Sequence, residues 1–336
     1  GFVVYFLHNA YAVLRTYDRQ GRELKELELP AMGSIQGLWG RPNQKEVFFV
    51  FTSFLHPEAV YHYDFETGDL RIFAEPKLTF RPEEFETHQV FYPSKDGTQV
   101  SMFLVHKKGL KLDGRSPALL YGYGGFNIAI TPFFSPVRMW WLEQGGVYAV
   151  ANLRGGSEYG EEWHQAGMLA NKQNVFDDFM AAAEWLVANG YTSRERLVIE
   201  GRSNGGLLVS AVLVQRPELF GAVVCVVPVT DMLRFHRFTV GRYWVPEYGS
   251  AEDARQFAFL RAYSPYQQVR RGTDYPAVLL TAGENDRRVH ALHARKMAAA
   301  LQAATADVPG AKPVLLWVDR EAGHGQGKPL NLKIRD

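Results

Sequence analysis

From about Phe85 onward the chain alternates short apolar strands with longer helical runs, and this alternation constrains the fold more than any other feature. Six near-continuous apolar segments have the character of strands that are buried on both faces of a sheet: PALLYGYGG, GGVYAVANLR, RLVIEG, AVVCVVPV, AVLLTAG and PVLLWVD. Between them lie helical runs such as VFDDFMAAAEWLVANG, where apolar residues recur at helical spacing. This order predicts a mostly parallel sheet with helices on both faces. Active sites in such sheets gather at the carboxyl ends of the strands.

The first eighty or so residues have a different pattern, almost wholly typical of β structure. Short aromatic and β-branched runs are separated by turn residues such as Gly21 and Gly68. The segment YHYDFETGDLRIF is predicted to be a strand, a turn and a strand, the unit from which sheet repeats are made. About two such sheet units are present, which is too few to close a propeller.

Composition excludes several classes of protein. Lys+Arg 37 against Asp+Glu 36 leaves a net charge of +1, and without a basic run no nucleic-acid partner is expected. No apolar stretch reaches the roughly 18 to 20 residues that a membrane span needs. The single cysteine, Cys225, excludes an internal disulfide and a cysteine zinc cluster, and is expected to be inert in a buried strand. Because the chain opens on Gly1 in mid-strand, we expect it to be a piece of a longer chain.

One serine stands in a cramped turn between a strand and a helix. In RLVIEGRSNGGLLVSAV, Ser203 and its glycines fit G-x-S-x-G, directly after LVIE and directly before a helical run. A sharp strand-to-helix turn needs small neighbours, and the helix N-terminus favours negative charge. We therefore predict that Ser203 is a nucleophile; the alternative is an ordinary polar turn or N-cap.

A serine nucleophile needs a base and a carboxylate that orients the base. In this kind of sheet the acid follows the serine along the chain, and the histidine follows the acid. Asp286 comes just beyond the strand AVLLTAG, and His324 lies in a glycine-flanked loop after the last strong strand. Glycines there allow the imidazole to approach the nucleophile closely. Glu284 and Asp319 are the alternative acids, and Asp286 is favoured over both.

Other histidines are weaker candidates for the base. His290 and His293 are predicted to lie on a surface helix, His236 precedes the acid, and His164 is expected to be structural or exposed. His290 and His293 stand three residues apart but have no third ligand at suitable spacing, so no metal site is predicted.

Five motifs in order resemble the prolyl oligopeptidase family, serine peptidases of the α/β-hydrolase fold. They are YGYGGFN at 121–127, NLRGGSEYGEEWHQAG at 152–167, GRSNGGLLV at 201–209, DMLRFHRFTVGRYW at 231–244 and GHGQGKP at 323–329. The resemblance covers nearly all of 85–336. It implies that 81–336 is an α/β-hydrolase peptidase domain and that 1–80 holds the last blades of an incomplete β-propeller. In that family a seven-bladed propeller caps the hydrolase domain and limits substrates to short peptides.

The resemblance also implies roles for individual residues. Ser203, Asp286 and His324 match the family triad. Tyr123 matches the tyrosine whose hydroxyl helps to bind the oxyanion, and the backbone N–H of Asn204 matches the other donor. Trp244 matches a tryptophan that stacks on the substrate proline, and Arg288 matches an arginine that hydrogen-bonds a substrate carbonyl, although a surface ion pair beside Asp286 is an alternative for it. The rest of the pocket wall is matched by Phe126, Val229, Tyr248 and Val289.

The expected activity is hydrolysis after proline in short peptides, through an acyl-enzyme and without a cofactor or metal. The full-length protein is expected to be a monomer in the cytoplasm, with the periplasm as the alternative. Alternatives from the same chemistry are an enzyme like oligopeptidase B, which would need acidic residues such as Glu247 to receive a basic side chain, a dipeptidyl or acylaminoacyl peptidase, or an esterase. An inactive fragment or a binding module is the alternative outside catalysis.

Overall fold

A computed structural model of the chain describes residues 1–78 and 80–325. The chain divides into two compact units. The first comprises Gly1–Val90, Phe103–Leu110 and Ala129–Tyr148; the second comprises Phe91–Met102, Lys111–Ile128 and the described chain from Ala149 onward.

The first unit contains two small antiparallel sheets. One has three strands in the order β1-β2-β3, and the other has four in the order β4-β5-β6-β7. Their bounds are β1 Phe2–His8, β2 Tyr11–Tyr17, β3 Glu23–Leu27, β4 Gly33–Trp39, β5 Glu46–Ser53, β6 Ala59–Asp64 and β7 Leu70–Ala74. β6 and β7 form the predicted hairpin, in which Gly68 turns the chain at a φ of 77°. Alternate residues of β5, including Phe49 and Phe51, face an apolar core.

Eight strands form the large sheet, in the order β15-β14-β13-β12-β10-β11-β9-β8. Their bounds are β8 Phe85–Pro93, β9 Gln99–Lys107, β10 Ala118–Tyr121, β11 Val147–Ala151, β12 Leu197–Arg202, β13 Ala222–Val226, β14 Ala277–Gly283 and β15 Val314–Asp319. The division between the two units falls within β8, β9 and β11, whereas β10 and β12–β15 lie wholly in the second unit. These last five strands are paired in parallel in the order β10-β12-β13-β14-β15, as the apolar runs predicted.

Helices follow the strands in alternation. Their bounds are α1 Pro136–Glu143, α2 Glu161–Gln165, α3 Lys172–Ala188, α4 Asn204–Gln215, α5 Val245–Tyr248, α6 Ala254–Tyr263, α7 Pro265–Gln268 and α8 Leu292–Thr305. The long helix α3 contains most of the predicted helical run VFDDFMAAAEWLVANG, and α4 is the helical run expected directly after Ser203. α4 is buried at nearly every position, because it follows the central strand β12 and packs against both β12 and β13. Within 1–78 and 80–325, no helix is long and apolar enough to cross a membrane.

The sequence-predicted catalytic residues all follow carboxyl ends of these parallel strands. Tyr123 comes after β10, Ser203 after β12, Asp286 after β14 and His324 after β15. In a parallel sheet these ends lie at one edge, so residues separated by two hundred positions in sequence can meet there.

Candidate active site

Ser203 stands alone between β12 and α4, in a backbone conformation that L-residues rarely adopt. Its φ of 59° and ψ of −113° lie outside the broadly allowed regions for a residue with a side chain. The Ser203 N–H donates to the carbonyl oxygen of Val226 at 2.9 Å, and its own carbonyl accepts from the N–H of Leu207. Strained backbone of this kind persists where the surroundings fix it, and it occurs mainly at functional sites.

The neighbouring glycines are required by space. A Cβ on residue 201 would overlap the carbonyl oxygen of Gly205, and one on residue 205 would lie 2.7 Å from the carbonyl oxygen of Gly122. A Cβ on residue 206 would lie 2.6 Å from the Cα of Pro228. Because these neighbours are mostly backbone atoms, they cannot turn aside, and the turn excludes every larger residue.

Replacing Gly201 by alanine is expected to destabilise the protein by about 1–3 kcal/mol or more, the usual cost of forced overpacking. Urea unfolding of the two proteins measures the difference. Gly40→Ala is the matched control, since a Cβ there meets its nearest neighbour, the carbonyl oxygen of Glu46, at 3.3 Å and a shift of a few tenths of an ångström relieves it. Equal stability of the Gly201→Ala variant and the wild type would contradict the steric explanation of the turn.

Ser203, His324 and Asp286 form one continuous hydrogen-bonded chain. The Oγ of Ser203 lies 3.1 Å from Nε2 of His324. The other ring nitrogen, Nδ1, lies 2.6 Å from Oδ2 of Asp286. With Nδ1 protonated and bonded to the carboxylate, Nε2 is left as the acceptor that faces the serine hydroxyl. This is the geometry that lets an imidazole remove the serine proton.

Asp286 is held in its orientation by the backbone. Its Oδ1 accepts from the N–H groups of Arg288 at 2.8 Å and Val289 at 2.9 Å, which leaves Oδ2 for the imidazole. Burial acts to raise the pKa of Asp286, but the hydrogen bonds from His324 and these N–H groups outweigh burial, and its pKa lies below the usual value. The carboxyl is therefore ionised at neutral pH and stabilises an imidazolium.

An arginine beside Ser203 also holds the segment that carries His324. The Nη2 of Arg202, the residue before Ser203, donates to the carbonyl oxygen of His324. Gly325 makes room for this contact, because a Cβ at that position would overlap the guanidinium. The rest of the motif at 323–329, residues 326–329, lies outside the described residues.

Tyr123 and Asn204 lie together beside the first turn of α4. The side chain of Asn204 donates from Nδ2 to the carbonyl oxygen of Tyr123 at 2.6 Å. A Cβ on Gly205 would lie 3.6 Å from Cδ2 of Tyr123, so the ring of Tyr123 borders the turn that carries Ser203. The N–H of Asn204 belongs to a first helical turn, where N–H groups have no acceptor within the helix. Burial raises the pKa of Tyr123 to about 12, so its hydroxyl keeps the proton it would donate.

Three of the predicted pocket residues belong to a run of aromatic rings. Phe126 meets Tyr248 edge to face with ring centroids 5.3 Å apart. Tyr248 meets Phe235 at the same distance, and Phe235 in turn stacks on Trp244 at 6.4 Å with ring planes 10° apart. Trp244 and Phe126 are partly exposed, whereas Tyr248 and Phe235 are buried. Phe235 is absent from the predicted site, although it lies in the motif at 231–244 that supplied Trp244.

The other predicted pocket residues follow strand ends. Val229 and Val289 are buried, three residues after β13 and three after Asp286, respectively. Arg288 is exposed, and its positive charge acts to lower the pKa of Tyr123. Arg288 contacts Asp286 through the backbone N–H of Arg288. This contact is therefore not the surface ion pair that was the alternative role for the Arg288 side chain.

The prediction for His293 is wrong. Its side chain is buried, because this position of α8 packs against the segment after β13, where Phe238 lies edge to face with the imidazole. Nδ1 accepts from the N–H groups of Thr230 and Asp231, both at 3.2 Å. Burial lowers the pKa of His293 to about 4, which keeps the ring neutral and able to accept. His290, by contrast, is exposed as predicted.

The remaining candidates have other partners. His236 lies 3.3 Å from Glu252, Glu284 pairs with Arg295, and Oδ1 of Asp319 accepts from the N–H groups of two residues that follow it. Cys225 is buried as predicted, and burial raises the pKa of its thiol to about 12. None of these groups is bonded to Ser203 among the described hydrogen bonds.

Glu247, the residue before Tyr248, is buried and its carboxylate is bonded to groups within the protein. Its carboxylate accepts from the N–H of Phe126 at 3.0 Å and lies 2.8 Å from Nε2 of His164. Lys172 places its Nζ 3.6 Å from the same carboxylate. His164 has the structural role that was expected of it. Both oxygens of Glu247 are therefore already occupied within the protein.

One group of side chains in the described chain could hold a metal ion. Glu86, His88 and His106 place their ligand atoms within 4.8 Å of one another, in the first unit. His88 Nε2 lies 3.1 Å from Glu86, and His106 Nδ1 lies 3.0 Å from the carbonyl oxygen of Lys107. Each of these two contacts is made within one strand, β8 or β9, and sequence reasoning did not find the cluster.

Sequence comparison finds relatives of this chain among known proteins. The sequence model of the prolyl oligopeptidase family matches residues 132–335, and that of the prolyl oligopeptidase N-terminal beta-propeller domain matches 1–76. A prolyl endopeptidase of Elizabethkingia miricola is 43% identical over 328 residues, which is 97% of this chain and 46% of that protein. A prolyl endopeptidase of Dictyostelium discoideum is 39% identical over 98% of this chain and 44% of its own length. The chain thus spans about half the length of the curated relatives it matches.

Solved structures show the same similarity in three dimensions. A structure from a study of two prolyl endopeptidases matches with a TM-score of 0.91 and 49% identity, over 96% of this chain and 47% of that one. Prolyl oligopeptidase B from Galerina marginata, bound to a 35-residue hydrolysis and macrocyclization substrate, matches with a TM-score of 0.93 and 38% identity. That match covers 100% of this chain and 48% of the other.

Proposed function

The chain belongs to the prolyl oligopeptidase family, and from this premise we propose that it is the catalytic part of a serine endopeptidase that hydrolyses short peptides after proline. The observation that carries the proposal is the bonded chain from Ser203 Oγ through His324 to Asp286, with distances of 3.1 Å and 2.6 Å. In this organisation 1–80 supplies the last blades of a propeller and 81–336 the peptidase domain.

In the proposed mechanism, Ser203 attacks the carbonyl carbon of the scissile bond while Nε2 of His324 takes the hydroxyl proton. Asp286 keeps the proton on Nδ1 and stabilises the imidazolium. The hydroxyl of Tyr123 and the N–H of Asn204 donate to the developing oxyanion, which the dipole of α4 also favours. His324 then gives its proton to the leaving amine, and water repeats the sequence on the acyl-enzyme to release the peptide that ends in proline. No metal or cofactor takes part in these steps.

The aromatic rings supply the proposed preference for proline. The pyrrolidine ring of proline is compact and apolar, and a proline within a peptide has no N–H to satisfy, so the partly exposed rings of Trp244 and Phe126 can receive it without a polar partner. Val229, Val289 and Tyr248 complete the apolar wall, and Arg288 is proposed to bind a substrate carbonyl near the scissile bond. The partner is thus a short peptide that contains proline.

Glu247 distinguishes this proposal from an enzyme like oligopeptidase B. A pocket for arginine or lysine needs a carboxylate that is open to the substrate. Glu247 is buried, with its oxygens bonded to Phe126 and His164 and close to Lys172, so it is already neutralised from inside the protein. Basic side chains would have to displace these partners, which disfavours cleavage after them.

The test is turnover of a chromogenic peptide with Gly-Pro before the p-nitroanilide, compared with the same peptide with Gly-Arg. We expect the full-length protein to cleave only the first and expect Trp244→Ala to lower kcat/KM for it by about tenfold, since an aromatic stacking partner is lost. Tyr243→Ala is the matched control, because Tyr243 is the adjacent aromatic residue and is 66% exposed. Cleavage after Arg but not Pro would overturn the specificity, and absence of fluorophosphonate labelling of folded protein at Ser203 would favour a binding module.

For the full-length protein we propose a monomer in the cytoplasm, with the periplasm as the alternative compartment. The triad, the donors and the aromatic rings all come from one chain, so the proposed chemistry needs no second copy. Gel filtration at micromolar concentration tests the oligomeric state.

A further inference from the structure

Three buried side chains hold the loop that carries Tyr123. We name Tyr123–Phe126, after β10, the oxyanion loop. Asn204 donates to the carbonyl of Tyr123 at 2.6 Å, Lys172 donates from Nζ to the carbonyl of Gly124 at 2.8 Å, and Glu247 accepts from the N–H of Phe126 at 3.0 Å. The three anchors begin or lie in α4, α3 and α5, so separate elements converge on four consecutive residues.

The oxyanion loop needs such anchors because its backbone is strained and lies outside any strand or helix. Gly124 has a φ of 60° and Phe126 a φ of 59°, and the second of these is a conformation that a phenylalanine rarely adopts. A loop of this kind has no ladder of backbone hydrogen bonds to fix it. Its conformation is therefore set by side chains that bond its carbonyl and N–H groups.

Two of the anchors are charged groups buried together. Lys172 and Glu247 are 1% and 5% exposed, and charged side chains are rarely buried unless they are paired. Lys172 also lies over the ring of Tyr248, with Nζ 5.5 Å from its centroid, and Tyr248 donates to Oδ1 of Asn204. Burial lowers the pKa of Lys172 to about 8, opposed by Glu247. The anchors are thus linked to one another: Glu247 is close to Lys172, and Lys172 contacts Asn204 through Tyr248.

We propose that Lys172 and Glu247 are positioning residues, which fix the oxyanion loop so that the Tyr123 hydroxyl meets the oxyanion. The proposal rests on the proposed function in one respect, that Tyr123 is an oxyanion donor. Neither residue touches substrate. Their effect is transmitted through the backbone of Gly124 and Phe126, and it falls on turnover, where the oxyanion forms, rather than on substrate affinity.

A double-mutant cycle between Lys172→Met and Tyr123→Phe tests this in the full-length protein. Removing the hydroxyl of Tyr123 is expected to lower kcat by about 10²–10³-fold. Lys172→Met is expected to lower kcat by about 10–10²-fold with KM changed by less than threefold, since misplacement by about 1 Å can cost about 10²-fold. In the Tyr123→Phe background the same Lys172 substitution is expected to cost less than threefold more, because the donor it positions is already gone.

Lys296→Met is the matched control. Lys296 also pairs with a buried carboxylate, that of Asp231, and also lies over a tyrosine ring, that of Tyr266. It makes none of the anchor bonds to the oxyanion loop. The substitution should therefore lower stability in the same way as Lys172→Met while leaving kcat within threefold of wild type.

A second pair of variants protects the test against misfolding. Glu247→Gln keeps an oxygen that can accept from Phe126, whereas Glu247→Ala does not, so kcat should be at least partly restored in the glutamine variant. The proposal would be overturned if Lys172→Met lowered kcat by the same factor with and without the Tyr123 hydroxyl, or if Lys296→Met lowered kcat as much as Lys172→Met does. If the wild type hydrolyses p-nitrophenyl acetate but not the proline peptide, the proposed specificity for proline is refuted. The role of Lys172 is then tested separately, because the double-mutant cycle with Tyr123→Phe can be measured on the ester.

Discussion

Replacement of Ser203 by alanine is expected to lower kcat by about 10⁴–10⁶-fold, the largest effect predicted for any single substitution. In the proposed mechanism the hydroxyl oxygen of Ser203 bonds to the substrate carbon, and among the described hydrogen bonds no other hydroxyl or thiol pairs with Nε2 of His324. The measurement is turnover of the Gly-Pro p-nitroanilide, together with intact mass after treatment with a fluorophosphonate, where the adduct should disappear. Substrate affinity should change little, since the aromatic rings are untouched.

Ser210→Ala is the control for this result. Ser210 lies on the same helix, α4, is fully buried and bonds Sγ of Cys225 at 3.4 Å. The same chemical change at that position should leave turnover within a few-fold of wild type. If Ser203→Ala retained a tenth of the activity, or if the fluorophosphonate still added one group, the nucleophile would be another residue.

The second large effect is expected at Asp286. Asn at this position can still accept from the N–H groups of Arg288 and Val289, but its amide can present a donor to Nδ1 of His324. The imidazole would then carry its proton on Nε2, facing Ser203, where it cannot act as a base. Turnover at pH 7 is expected to fall by about 10⁴-fold with little change in KM.

Asp319→Asn is the matched comparison for Asp286→Asn. Asp319 ends β15 and is the other aspartate considered as the acid, and its Oδ1 accepts from the N–H groups of Glu321 and Ala322. The amide oxygen can take over these bonds, so activity should stay within about threefold. A larger loss at Asp319 than at Asp286 would reverse the assignment of the acid.

The parts of the fold that could be predicted from sequence are those in which the residue types themselves indicate where the segment lies in the structure. Apolar runs such as AVLLTAG are typical of strands within a covered sheet, and β14 has the bounds that this run predicted. The glycines around Ser203 are informative for the same reason, since only a turn without space for a Cβ requires three of them so close together. The order serine, acid, histidine then selected residues that the sheet brings together.

The parts that could not be predicted are those where charged or polar residues are buried. Lys172, Glu247 and His293 are residue types that usually lie at the surface, so a single sequence gives no reason to place them inside. Their positions depend on partners from distant segments, such as the carbonyl of Gly124 for Lys172. Such pairings are consequences of the assembled fold and have no local pattern.

The contact between Arg202 and the carbonyl of His324 has a consequence for how inactivation proceeds. His324 lies in a segment that follows β15, a strand at the edge of the large sheet, with one strand neighbour among the described residues. The guanidinium of Arg202 bonds the backbone of that segment, so it keeps the imidazole of His324 beside Ser203 for as long as the contact lasts. Mild denaturation should therefore abolish turnover abruptly, at the point where this contact and the bond from His324 to Asp286 break together, rather than by gradual loosening of the triad.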